Sequence, residues 1–130
     1  MDLDIIYSSY LVSEETNMIK RIYNSFDGLI EKKKVLVIYG ARQVGKTTLL
    51  EHYLSSTDKK YRLESGENMT LKLLFNSLDF NSLIEYANGY ELLAIDEAQE
   101  IENIGKALKI IVDHVPDLSI IVTGSSSFNL

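Results

Sequence analysis

An α/β fold, with a mainly parallel sheet between two helical layers, is predicted by three features of this chain. Apolar runs of strand length at 35–39, 91–95 and 118–122 alternate with stretches whose apolar residues recur at helical spacing. The first run leads directly into a glycine-bracketed loop, Gly40-Ala41-Arg42-Gln43-Val44-Gly45-Lys46-Thr47. The other two end in polar residues, Asp96-Glu97 and Thr123-Gly124-Ser125. Parallel sheets bind ligands at the carboxyl ends of their strands, which is where all three polar segments fall.

Taken in order, residues 13–31 place Ile19, Ile22, Tyr23, Phe26 and Ile30 on one helical face, with Ser13 as N-cap and Gly28 near the end. An N-terminal helical segment over 1–34, packing on the core of 35–130, is the expected organisation. Val35-Leu36-Val37-Ile38-Tyr39 reads as a buried strand, and Thr48 to Leu54 continue a helix that Ser55-Ser56-Thr57-Asp58 breaks. A short strand is expected near Tyr61 to Glu64. Two short helices should follow, one carrying Leu71, Leu74, Phe75 and Leu78, the other running from Leu83 to Ala87. The 91–95 run is a buried strand. Ile101, Ile104, Leu108, Ile111, Val112 and Val115 then mark a helix ahead of Pro116, the single proline. The 118–122 run closes the pattern as a last strand.

The octet at 40–47 satisfies G-x-x-x-x-G-K-[ST] in the strand–loop–helix context its mechanism needs. Its glycines allow a tight turn with N–H groups pointing inward at phosphate oxygens. The helix behind adds unpaired N–H donors and a partial positive charge. Lys46 brings a full charge to the β- and γ-phosphates, and Thr47 can place its hydroxyl on Mg²⁺. The candidate nucleotide-binding residues are Gly40, Ala41, Arg42, Gln43, Val44, Gly45, Lys46, Thr47 and Thr48. Asp96, at a strand end after an apolar run, suits the Mg²⁺ shell. Glu97 beside it can reach the space beyond the γ-phosphate, where it could orient or deprotonate water. The same pair could instead simply open the next helix, whose positive end favours acidic residues. Ser125 and its neighbours offer a polar contact to the γ-phosphate or the water; a generic Gly/Ser turn is the plain alternative.

Composition narrows the classes. The chain has 130 residues, 45% of them hydrophobic and 25% charged, with no cysteine. That is enough for one domain with its own core, and it rules out disulfides and thiolate chemistry within this sequence. The N-terminus lacks the pattern of a secretory signal, and no apolar run approaches the ~20 residues of a membrane span. A cytoplasmic location is the expectation, and it makes the Asn68-Met69-Thr70 sequon incidental. The net charge of −6 divides unevenly: residues 1–62 hold 10 basic and 8 acidic side chains, residues 63–130 hold 3 and 11. Lys32-Lys33-Lys34 is the only basic cluster and reads as a solvated turn, so this segment gives no support for nucleic-acid binding.

GARQVGKTTLL, LLAIDEAQEI and IIVTGSSSFNL, in that order, resemble the three signatures of an AAA-type P-loop ATPase family of archaea and bacteria, from about Ile19 to Leu130. The resemblance implies a three-layer αβα P-loop NTPase core that binds ATP with Mg²⁺. It implies Lys46 and Thr47 as phosphate and metal ligands, Asp96 as the Walker B acid, Glu97 as catalytic base and Ser125 or a neighbour as sensor. Family members usually continue into a lid and a nuclease-like domain, and homo-oligomers are possible. Ending at Leu130 departs from that pattern. It predicts a truncated core whose sheet is incomplete at the C-terminal edge, with the Walker A strand exposed there. No arginine follows Arg62, so the downstream half supplies no arginine finger.

ATP hydrolysis driving a conformational switch in an attached domain or assembly is the leading reading. A regulatory nucleotide-binding module with little turnover is the alternative. A GTPase would need an Asn-Lys-x-Asp segment, which is absent, and a small-molecule kinase fits the paired Asp96-Glu97 less well than water activation does.

Overall fold

The computed structural model describes residues 5–9, 30–39, 46–125 and 130, with the backbone alone at 5–9 and 46–47. Five strands form one sheet: β1 (Ile5–Ser9), β2 (Val35–Tyr39), β3 (Tyr61–Ser65), β4 (Leu92–Asp96) and β5 (Ser119–Gly124). Four α-helices accompany them: α1 (Lys46–Ser56), α2 (Met69–Ser77), α3 (Phe80–Ala87) and α4 (Ile104–His114). A 3₁₀ turn at Ala98–Glu100 separates β4 from α4.

The strand order is β1-β2-β5-β4-β3, and every pairing is parallel. The path from β2 to β3 crosses β5 and β4, then reverses, returning through β4 to β5. Because parallel crossovers keep one hand, that reversal sends the first connection over one face and the later ones over the other. The packing follows suit. Leu36, Ile38, Leu92, Ala94 and Ile121 meet Leu49, Leu50, Tyr53 and Leu54 of α1. On the opposite face Val35, Val37, Leu93, Ile95, Ile120 and Val122 pack against α2, α3 and α4 through Phe75, Leu83, Ala107, Leu108 and Ile111. Strands buried on both faces explain why these runs are continuously apolar rather than alternating. The layering is the three-layer αβα arrangement of the sequence reading, and the sheet is open.

One feature of the edge differs from expectation. β2, the strand before the glycine-bracketed loop, is not exposed: β1 pairs along its whole length, from Ile5↔Val35 to Ser9↔Tyr39. β1 satisfies the backbone groups that an edge position would leave open. The expected helix over 13–31 falls almost wholly outside the described residues. At its far end, Ile30 and Glu31 are not helical.

Helix boundaries have local causes. Asn68 caps α2 by accepting the Leu71 N–H at 3.1 Å, and Asp79 caps α3 by accepting the Ser82 N–H at 3.1 Å. Leu78 ends α2 in the left-handed region at φ 54°. Arg62 of β3 ties α3 to the sheet edge, its guanidinium 3.9 Å from the Tyr86 ring centre and donating to the Tyr86 carbonyl at 3.1 Å. Burial pushes the Tyr86 phenol above its ordinary pKa. Lys32 and Lys33 form an exposed turn, with Lys32 3.4 Å from Asp117 and Lys34 2.8 Å from Glu31.

Candidate functional site

Register brings the ends of four strands together. Tyr39 pairs with Gly124, Ile95 with Val122, and Ser65 with Asp96. The carboxyl ends of β2, β5, β4 and β3 therefore share one edge of the sheet. The helix that follows β2 packs on one face and those that follow β3 and β4 on the other, the switch point at which open α/β sheets form a ligand crevice.

At the centre stands Thr123, fully buried at the end of β5. Its hydroxyl donates to Asp96 Oδ1 and accepts the Glu97 backbone N–H at 3.0 Å. A single side chain thus fixes both consecutive carboxylate residues, satisfying donor and acceptor capacity together. Asp96 also lines an open cleft of about 300 Å³, with Leu50 and Glu51 of α1, Ser65 and Asn68 around it.

Glu97 takes a left-handed backbone, φ 53° and ψ 47°. Such a conformation costs energy for a residue with a Cβ, and it redirects the chain sharply after the strand. Two neighbours hold it there besides Thr123. Gly66, in the turn after β3, donates its N–H to the Asp96 carbonyl at 2.6 Å. A Cβ at Gly66 would lie 2.2 Å from the Glu97 carbonyl oxygen, so only glycine fits. Gln99 Nε2 donates to Glu97 Oε2 at 2.5 Å.

The remaining predicted residues divide as follows. Lys46 and Thr47 open α1, and Thr48 follows in its first turn with an exposed side chain. Ser125 lies directly after β5 and is half-buried. Gly40, Ala41, Arg42, Gln43, Val44 and Gly45 lie outside the described residues. Sequence reasoning marked the polar segment that begins at Thr123 but put the contact on Ser125 or a neighbour; the side chain bonded to Asp96 and to the Glu97 N–H is that of Thr123. The usable signal is register, because pairing Ile95 with Val122 puts the next residue of β5 beside Asp96.

A family model described as an AAA domain matches residues 32–130. The chain belongs to that AAA domain family. No curated protein matches it. Membership carries nucleotide binding, with ATP as the ligand the family implies. In this AAA domain the matched region contains β2 through β5 and all four described helices, and its span includes every site residue named above. No described helix is long and apolar enough to cross a membrane.

Proposed function

We propose that this AAA domain binds Mg-ATP and hydrolyses it, and that the change of nucleotide state drives a conformational switch in an attached domain or assembly. The observation that carries the reading is the hydrogen-bonded set Asp96–Thr123–Glu97 at the strand ends, beside the cleft bounded by the first turns of α1. The loop at 40–45 with Lys46 would cradle the phosphates.

The donor set fits Mg²⁺. Asp96 offers a carboxylate at the cleft, and Thr47, at the start of α1, is a hydroxyl residue; both are hard oxygen donors of the kind Mg²⁺ takes alongside phosphate and water. Among the described residues no group of three or more His, Cys, Asp or Glu could hold a metal, so a fully protein-made cage is not formed by them. When bound, the ion would neutralise charge on the phosphates.

Glu97 would act on the water. One oxygen of its carboxylate accepts a proton as the water oxygen bonds to the γ-phosphorus, and the bond from that phosphorus to the bridging oxygen breaks toward ADP. Thr123 keeps Asp96 and Glu97 at a fixed separation. In this reading Thr123, two residues before Ser125, takes the sensor place, its hydroxyl bonded to the Asp96 carboxylate and to the Glu97 backbone N–H.

Glu97→Gln tests the reading. The amide preserves shape but cannot accept the proton, so ATP affinity should stay within about twofold while single-turnover hydrolysis falls by about 100-fold or more. Hydrolysis at the parental rate would remove the catalytic role and leave the regulatory module as the better account.

A further inference from the structure

The Glu97 carboxylate has two oxygens, and the structure treats them differently. Oε2 receives the Gln99 amide at 2.5 Å, whereas Oε1 takes no hydrogen bond from a described residue. The direction of the Gln99 amide is set by chemistry. An ionised carboxylate only accepts, so Nε2 must face it; reversing the amide would set oxygen against oxygen.

Gln99 is also held from behind. It sits in the 3₁₀ turn closed by Glu100 N–H to the Glu97 carbonyl at 3.1 Å and Ile101 N–H to the Ala98 carbonyl at 3.1 Å. Ala98 and Ile101 on either side are buried in the core, so the turn cannot slide along the sheet. The other atom of its amide, Oε1, is buried with no hydrogen-bond partner among the described residues. A buried amide oxygen left unpaired costs stability, so the rotamer is not one that Gln99 would choose for its own satisfaction. The gain lies at the other end of the amide.

We propose that Gln99 is the positioning residue for Glu97: it occupies Oε2 and so presents Oε1 as the oxygen that receives the proton of the attacking water. The inference rests on the hydrolytic reading above. Glu97 is then constrained at three points: its N–H by Thr123, its peptide by Gly66 and its carboxylate by Gln99. A carboxylate free to rotate would offer its oxygens to the water in many geometries, of which few align with the γ-phosphorus. Gln99 removes that freedom without touching substrate.

Two measurements on the full chain test this. The sequence contains two glutamines, Gln43 and Gln99, so glutamine-selective ¹⁵N labelling gives two side-chain amide pairs. One pair should be displaced downfield and exchange slowly with solvent, and Glu97→Ala should return it to the position of a free amide. Gln99→Met keeps the length of the side chain and removes the donor. It should lower kcat about tenfold while the ATP dissociation constant, from direct titration, stays within about twofold. Two ordinary free-amide pairs in the parent, or a parental kcat in Gln99→Met, would overturn the proposal. A parent with the displaced amide but no ATP turnover would keep the grip on Glu97 and overturn the hydrolytic reading instead.

Discussion

Replacing Gly66 by Ala puts a methyl carbon where 2.2 Å separates it from the Glu97 carbonyl oxygen and 2.9 Å from the carbonyl carbon. Both atoms belong to backbone, so no side chain can swing away. To reach the closest separation that real Cβ atoms show, 3.0 Å, one chain must retreat by about 0.8 Å. Overpacking of that kind costs about 1–3 kcal/mol, and stretching the 2.6 Å bond from the Gly66 N–H to the Asp96 carbonyl adds about 0.5–1.5 kcal/mol. A loss of roughly 2–4 kcal/mol should appear as a lower urea midpoint with unchanged slope. Turnover should suffer separately, because a displacement approaching 1 Å at Glu97 can cost about 100-fold. Gly89→Ala is the matched control. Gly89 has φ +87° and open space around its missing Cβ, so alanine there adds backbone strain of about 1–2 kcal/mol without touching the site. Gly89→Ala should lose stability and retain turnover; Gly66→Ala should lose both. A Gly66→Ala protein with stability within about 0.5 kcal/mol of the parent and parental turnover would refute the argument that the β3 turn braces Glu97.

On the proposed reading, Lys46→Ala should weaken ATP binding by about 1.5–3 kcal/mol, roughly 10- to 150-fold, in isothermal titration, since it would delete a charge-assisted contact to phosphate. Thr123→Val keeps the shape in a fully buried position but leaves the Glu97 N–H without its acceptor. A loss of about 1–3 kcal/mol in chemical denaturation is expected, with turnover reduced beyond what nucleotide affinity explains. Asp79 has its pKa lowered by hydrogen bonds from the Ser82 hydroxyl and then the Ser82 N–H. Its folded pKa lies below the unfolded one, so its stabilising effect is present above about pH 4 and lost as pH falls further. Asp79→Asn should retain the cap and flatten the acid limb of a melting-temperature profile; an unchanged limb would contradict the assignment.

The sheet and its order of elements were legible because burial on both faces forces apolar runs that nothing else in the chain imitates. Val35 to Ile38 and Leu92 to Ile95 announce themselves by composition alone. β1 does not. Residues 5–9, Ile-Ile-Tyr-Ser-Ser, are five in number and half polar, and no pattern in them distinguishes an edge strand from a loop. Missing it led to the expectation of an exposed β2. The carboxylate pair was likewise readable from its place after a strand, whereas its bracing was not. Thr123 meets Asp96 from 27 residues away and Gly66 meets Glu97 from another strand, so these contacts exist only once register is set. The left-handed turn at Glu97 is similarly silent, since glutamate carries no preference that would betray it.

The position of β5 in the sheet has a consequence for how the domain assembles. β5 is the last of the described strands along the chain, yet it lies between β2 and β4 and pairs with both. Until residues 119–124 arrive, β1 and β2 can form one ribbon and β3 and β4 another, with no pairing between them among the described strands. During synthesis both ribbons present open, apolar inner edges, the surfaces most prone to pairing with another chain. Closure then waits on contacts of long sequence separation, such as Val35 with Ile120, which slow folding relative to a sheet built from neighbours. The strand that brings Thr123 to Asp96 is also the one that completes the sheet, so a chain halted before it would lack the site and the fold together.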